Sequence, residues 1–497
     1  MLVLTTLCVV YPATPFAFVR AADLAGRGAV DGTRVSATPF GRAAGPRCTR
    51  PALTALAALL TLASCSGPTV TARSSPPTPS PTAVSLPITM AIGQMLVAGV
   101  GGTQITPGLR HLILDDKVGG VILFASNFGG TAVGLQSWSR QLQELGKQAG
   151  LPAPMLITTD QEGGQISSVT SGITQLPSEH DLGRRGAAAA TEQVREMAVG
   201  LAASGVDIDL APVADLRTNP QDAVIGARSF GPDVSVVGPL VAAYVAGLHR
   251  GGVASTLKHF PGLGGAPGNP HFAITADPVD MTTWVRTSAQ SFAAGIAAGT
   301  DAVMTTAVRV PGLDPSGRPA MLSRAVVTGL LRQKLGFHGV IVTDSLALGG
   351  LQAIEPIPQS IVDAARAGND LLLMSDSDTT LEDHAVMALR SAVDAGIVVA
   401  AEVQASAQRV IALRMRYAAQ TQAADRQDPA VAGVVRTQPL LAEPVLMAPL
   451  RGSQPSTQRR SETTSAPRTS VIAITPRRQG WPGRHREPLR ARSSPGK

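Results

Sequence analysis

Between about Ile88 and Arg416, short apolar, β-branched runs alternate with longer stretches of helical periodicity. The runs are Met95–Val100, Val118–Phe124, Met155–Asp160, Ile208–Asp215, Val253–His259, Ala302–Ala307, Val340–Asp344 and Asp370–Ser375. Between them, apolar positions recur at helical spacing in Val133–Ala149, Thr191–Ala203, Val234–Arg250, Thr283–Ala298, Arg324–Leu335 and Pro358–Ala367. Strands that are apolar on both faces and separated by helices belong to parallel βα units, because the crossover helices bury the sheet. Eight such units predict an α/β fold, a single (β/α)8 TIM barrel over residues 88–417, rather than an open doubly wound sheet.

Polar residues gather where the runs finish: Asp160, Asp215, Lys258 with His259, Thr305 with Thr306, Asp344, and Ser375 with Asp376. In a barrel these positions converge on the C-terminal face, where barrel enzymes keep their chemistry.

The flanks read differently. Residues 1–65 hold all three cysteines, Cys8, Cys48 and Cys65. Arg47 and Arg50, the apolar run Pro51–Ala63 and the small residues around Cys65 form a secretory signal pattern too short to span a bilayer. Leu62-Ala63-Ser64-Cys65 resembles the bacterial lipobox, which implies lipidation of Cys65, membrane anchoring there and an extracytoplasmic location. The first 34 residues fit no part of this plan, so translation is expected to start downstream of them. Residues 66–87 are a Pro/Ser/Thr-rich linker that cannot build a core. Residues 418–497 read as a basic, low-complexity, disordered tail.

Composition alone points elsewhere. The formal charge is +7 and the sequence pI about 9.8, as in a nucleic-acid binder. The charge is divided, however: net +4 up to Cys65, net +9 from Arg426 onward and net −6 between them. The basic tail lacks interleaved aromatic residues, so no nucleic-acid partner is expected. The predicted barrel has no cysteine and no His pair at ligand spacing, so neither metal nor other cofactor is expected.

Four segments carry the candidate chemistry: Thr158-Thr159-Asp160-Gln161-Glu162-Gly163-Gly164, the stretch from Ala211-Pro212-Val213-Ala214-Asp215-Leu216 to Ile225-Gly226-Ala227-Arg228-Ser229-Phe230, Lys258-His259-Phe260-Pro261-Gly262-Leu263-Gly264-Gly265, and Val342-Thr343-Asp344-Ser345-Leu346. In this order they resemble the bacterial β-N-acetylhexosaminidases of glycoside hydrolase family 3, the type that acts in cell-wall recycling. The resemblance spans roughly residues 88–395. It implies a metal-independent retaining exo-glycosidase that removes terminal β-linked N-acetylglucosamine, with muropeptide fragments as substrate and a monomeric state. Asp344 matches the nucleophile, and Asp160, Arg228, Lys258 and His259 match the residues that bind the terminal sugar. Asp215 is left open between a site residue and a structural group of the barrel mouth. The implied acid/base is His271, on a Gly/Pro-rich loop expected to open and close.

This sequence departs from the family at three places. Asn269 replaces the aspartate that partners the acid/base, Leu263 replaces a histidine, and Gln165-Ile166-Ser167-Ser168 stands where arginines are common. The Asn269 carbonyl can orient His271 but cannot supply a full charge to the imidazolium. A functional but slowed enzyme is expected, one less suited to acidic or peptide-bearing aglycones. Two alternatives remain open here: a family 3 β-glycosidase or N-acetylglucosaminide phosphorylase, and a catalytically silent glycan-binding lipoprotein.

Overall fold

The computed structural model describes residues 85–427 apart from 221, 223, 376 and 377, with side chains up to 418. The signal region with Cys65, residues 66–84 of the linker, Asp376 and residues 428–497 lie outside the described residues.

Eight parallel strands form the barrel: β1 Leu96–Ala98, β2 Gly120–Ile122, β3 Leu156–Thr159, β4 Ile208–Asp209, β5 Ala254–Phe260, β6 Ala302–Thr305, β7 Val340–Thr343 and β8 Leu372–Leu373. They pair in chain order, β8 pairs back onto β1, and a bridge between Val342 and Leu371 closes β7 against β8. Each of the eight apolar runs coincides with one strand, the fifth strand ending one residue past its run at Phe260. The alternation of side chains explains the two cores. Val97, Ile122, Leu156, Ala254, Ala302, Met304, Val340 and Val342 fill the barrel, while Val303 and Ile341 face the helical layer.

Three expectations are corrected. The fourth run is a strand only at Ile208–Asp209; beyond it the chain stays extended and bonds to β5 through the N–H groups of Thr256, Lys258 and Ala214 around a Val213–Lys258 bridge, without forming a regular strand. The segment expected as one helix over Thr283–Ala298 is two, Met281–Arg286 and Ser288–Ala297, broken at Thr287, whose φ and ψ of −122° and −102° are not helical. The final helix, Ala400–Gln427, runs past Tyr417. Its apolar periodicity stops at Tyr417, but the Ala/Gln-rich continuation has high intrinsic helix propensity. Val410, Leu413 and Tyr417 of this helix close the bottom of the barrel. Its buried Arg414 donates to the carbonyls of Pro154 at 2.6 Å and Ala153 at 2.7 Å. With the N-terminal face sealed, the open end of the barrel is the C-terminal one.

Candidate active site

The Asp160–Gly164 motif leaves β3 in a short hairpin, Gln161–Gly163 against Ile166–Ser167. Both of its glycines are required. Gly163 and Gly164 have φ of +103° and +57°, and a Cβ on Gly163 would lie 2.4 Å from the Pro177 carbonyl oxygen. This turn aims Asp160 and Glu162 across the mouth at Lys258 from the end of β5. Lys258 Nζ lies 2.6 Å from Asp160 Oδ1 and 2.6 Å from Glu162 Oε1. Arg228 closes the group with two bonds to Glu162, at 2.8 Å from Nε and 2.7 Å from Nη2. It sits in a 3-10 turn, Gly226–Arg228, nucleated by Asp222, whose carboxylate accepts from the N–H groups of Val224, Ile225 and Gly226.

Two carboxylates and two cations thus form one neutral, largely buried network. Burial alone would raise the Glu162 carboxyl, but Lys258 and then Arg228 outweigh it and hold it at about 2. Burial opposes the charge on Lys258 as well, yet Asp160 and Glu162 keep its pKa above the ordinary lysine value. The sequence reading assigned Asp160, Arg228 and Lys258 but missed Glu162. Two buried cations beside one carboxylate require a second, but that burial becomes visible only when the strands bring the four residues together.

Asp215 is fully buried and lies behind the cavity. Its Oδ2 accepts from His259 Nδ1 at 2.6 Å and from the His259 backbone N–H at 3.1 Å; Oδ1 accepts from the Leu263 N–H at 2.7 Å. Arg228 Nη2 is 3.4 Å from His259 Nε2, and an arginine can only donate, so Nε2 is the acceptor and Nδ1 carries the proton. Asp215 is therefore a positioning group for His259.

Asp344 follows β7. Its Oδ2 accepts from Thr306 Oγ1 at 2.8 Å, and its Oδ1 from the Ser345 N–H at 2.8 Å. One anchor on each oxygen fixes the plane of the carboxylate and leaves lone pairs toward the cavity. His271 is exposed on the long loop after β5, and Asn269 Oδ1 accepts from its Nδ1 at 2.8 Å and from its backbone N–H at 2.9 Å. That bond leaves Nε2 as the free ring nitrogen.

Asp160, Glu162, Arg228, Lys258, His259, His271 and Asp344 line one cavity of about 240 Å³, whose apolar walls include Leu263, Met304, Leu348 and Leu373. The structure thus brings six sequence-derived candidates together. Asn269 lies just outside, on an adjoining groove of about 630 Å³ that shares Arg228 and His271 with the cavity and carries Gln165, Phe272 and Ala347. The smaller cavity opens into the wider groove as into a vestibule.

These features agree with the comparisons to known proteins. The model of the glycosyl hydrolase family 3 N-terminal domain matches residues 88–413. The chain belongs to glycosyl hydrolase family 3. It is accordingly a glycoside hydrolase, and the sites above lie inside the family 3 match. It is 35% identical over 305 residues to a beta-hexosaminidase of Stenotrophomonas maltophilia, covering 60% of this chain and 87% of that one. Among solved structures it is similar to a family 3 beta-N-acetylglucosaminidase from Paenibacillus sp. (33% identity, TM-score 0.66, 73% of this chain and 66% of that one). A beta-N-acetylhexosaminidase from Beutenbergia cavernae is likewise similar (31% identity, TM-score 0.62, 66% of this chain and 98% of that one).

Outside the cavity, His111, Asp116 and Asp383 place one ligand-type atom each within 4.8 Å of one another, with His111 Nδ1 held by Asp115 at 2.7 Å. Asp383 is too far away in the chain for spacing to reveal this group.

Beneath the network, Asp209 is fully buried. Its Oδ1 accepts from the Gln161 N–H at 2.9 Å, and its Oδ2 has no partner among the described residues. Burial pushes its carboxyl up to about 8. In the unfolded chain this group releases its proton near pH 4, whereas the folded chain holds it until about 8. Between those values the native state binds the extra proton, so stability falls as pH rises through that window. An Asp209→Asn variant keeps the acceptor and does not titrate. Its melting temperature relative to the parent is expected to rise steadily from pH 4.5 to pH 8; a pH-independent offset would show that Asp209 is ionised in the fold.

Proposed function

We propose that this protein is a retaining exo-β-N-acetylglucosaminidase that releases terminal β-linked N-acetylglucosamine from cell-wall (peptidoglycan) fragments. The observation that carries this reading is the single cavity in which the Asp344 carboxylate and the His271 imidazole face the same space as the neutral Asp160–Glu162–Lys258–Arg228 network. The similarity to a beta-hexosaminidase and to solved beta-N-acetylglucosaminidases, with the motif resemblance, supports it. Carboxylates accept from vicinal hydroxyls, Lys258 and Arg228 supply the complementary donors, and His259, whose ring is held by Asp215 and meets Arg228, lines the same wall. An Asp344 oxygen bonds to the anomeric carbon as the bond to the aglycone oxygen breaks, and that oxygen takes a proton from His271. Water then gives a proton to His271, its oxygen bonds to the anomeric carbon, and the ester to Asp344 breaks, so configuration is retained.

The test is trapping with a fluorinated N-acetylglucosaminyl analogue, alongside turnover of an activated N-acetylglucosaminide with and without phosphate. A covalent adduct on Asp344 and free N-acetylglucosamine as product are expected. A sugar phosphate would make the enzyme a phosphorylase, and neither adduct nor turnover would make it a silent glycan binder.

In this reading Asn269 orients His271 without sharing its charge. Asn269→Asp is expected to raise hydrolysis of a substrate with a poor leaving group about tenfold or more. A flat or lower rate would remove Asn269 from the mechanism.

Among the described residues, the arginine that lines the vestibule, Arg228, is already paired with Glu162, which supports weak recognition of acidic aglycones. Lipidation of Cys65 would hold the barrel at the outer face of the cell membrane; the membrane partition of a Cys65→Ser precursor checks this.

A further inference from the structure

The loop that carries His271 has few ties to the rest of the protein. Among the described residues, the hydrogen bonds of Gly268–Ile274 stay within the loop: Asn269 Oδ1 takes the two bonds from His271, and the Asn269 carbonyl accepts from the N–H groups of Phe272 and Ala273, both at 3.1 Å. What the loop rests on is backbone. A Cβ on Gly349 would lie 2.7 Å from the His271 carbonyl oxygen. One on Gly350 would lie 2.5 Å from the Pro270 carbonyl oxygen, 2.7 Å from the Ala273 carbonyl carbon and 2.8 Å from the Ile274 nitrogen. Ordinary contact needs about 3.4 Å or more, so any side chain at either position is excluded while the loop stays where it is.

The other side of this contact is firmly held. Gly349 and Gly350 begin a short helix, Gly349–Gln352, in which Leu351 is fully buried. Gln352 Nε2 donates to the Leu346 carbonyl at 2.6 Å, and the Leu346 N–H donates to the Leu373 carbonyl in β8 at 2.9 Å. Leu346 is two residues from Asp344, so the glycine pair is fixed relative to the carboxylate and the loop is the partner free to shift.

We propose that Gly349 and Gly350 are positioning residues that seat the His271 loop, so that the bare backbone of the Asp344 segment sets where the imidazole stands over the aglycone oxygen. This rests on His271 being the acid/base. Relieving a 2.5–2.7 Å clash moves the loop by nearly 1 Å. A misplacement of that size in a reacting group costs on the order of 100-fold in rate. The loss is confined to steps that use the proton carried by His271.

Gly349→Ala and Gly350→Ala are compared with the parent and with His271→Ala on two N-acetylglucosaminides, one with a dinitrophenolate leaving group that needs no proton and one with a sugar leaving group that does. Both glycine variants are expected to lose about 100-fold in kcat/KM on the sugar aglycone and less than about 3-fold on the dinitrophenyl substrate. Azide, which needs no base, is expected to restore kcat on the dinitrophenyl substrate. Labelling by the fluorinated analogue counts folded sites. If Gly350→Ala does not fold, Gly349→Ala decides, since it meets the loop at the single His271 oxygen. Equal losses on both substrates, or no loss, overturn the seat. If His271→Ala itself shows no leaving-group dependence, the acid/base assignment fails first, and the seat with it.

Discussion

Replacement of Asp344 by alanine is expected to reduce turnover of an activated N-acetylglucosaminide by roughly 10⁴- to 10⁶-fold, as loss of a covalent nucleophile does elsewhere. A 10⁴-fold loss corresponds to about 5.4 kcal/mol of transition-state stabilisation. Thr306 and Ser345 anchor one oxygen each, so the carboxylate is held in a fixed plane and its loss is not made good by a neighbour. The discriminating measurement is the product formed with azide. With Asp344→Ala, azide can enter the vacated space and attack the anomeric carbon with a single inversion, giving the α-glycosyl azide. With His271→Ala, azide instead displaces Asp344 from the glycosyl-enzyme and gives the β-azide. A β-azide from Asp344→Ala, or a loss below about tenfold, would reassign the nucleophile.

The second large effect is expected at Glu162, which the sequence reading left without a role. Glu162→Gln removes the anion that faces both Lys258 and Arg228, leaving a net positive charge in a group that is now neutral. Breaking a buried ion pair from one side costs about 3–5 kcal/mol, because the partner charge stays buried and uncompensated. A fall of that order in unfolding free energy is expected near neutral pH. It should shrink as pH falls from about 4.5 toward 2, where Glu162 of the parent takes up its own proton. A rise in KM larger than the fall in kcat is expected too, since Lys258 and Arg228 lose their fixed positions before the sugar but Asp344 does not. An equal loss in both constants, or a variant as stable as the parent, would show that the pair is not held by Glu162.

The eight strands were legible because a buried parallel strand is apolar on both faces, and that signature needs no neighbour to be seen. The helices Pro107–Leu114 and Thr379–Asp394 were not proposed from the sequence, although each has a capping side chain, Thr106 and Asp378. Each buries an apolar stripe at helical spacing, Leu109, Leu112 and Ile113 in the first and Ala385, Val386, Leu389 and Ala392 in the second, which the sequence reading passed over. The length of β4 was misjudged because an apolar run reports burial, whereas a regular strand depends on the pairing beside it; Leu210 to Asp215 are buried and bond to β5 at Ala211, Pro212 and Ala214, but do not continue the strand.

At the site, residue types at strand ends were readable one at a time, but their partners were not. Asp160 and Lys258 are 98 positions apart and Glu162 and Arg228 are 66 apart. Nothing local to either residue names the other. Asp215 was undecided for the same reason: whether a carboxylate faces a cavity or the back of a histidine is a matter of orientation across two strands.

By itself, then, the sequence determined the alternation that makes a barrel and the polar strand ends that make a mouth, while the resemblance of its motifs to family 3 supplied the roles of Asp344 and His271. The first two follow from local pattern, since burial period and turn chemistry act over a few residues. Only the tertiary structure decided that Glu162 completes a neutral four-residue network, that Asp215 serves His259 from behind, and that a bare glycine backbone supports the His271 loop. Each depends on distances between segments far apart in the chain, and such distances are set by how the strands close and the helices pack.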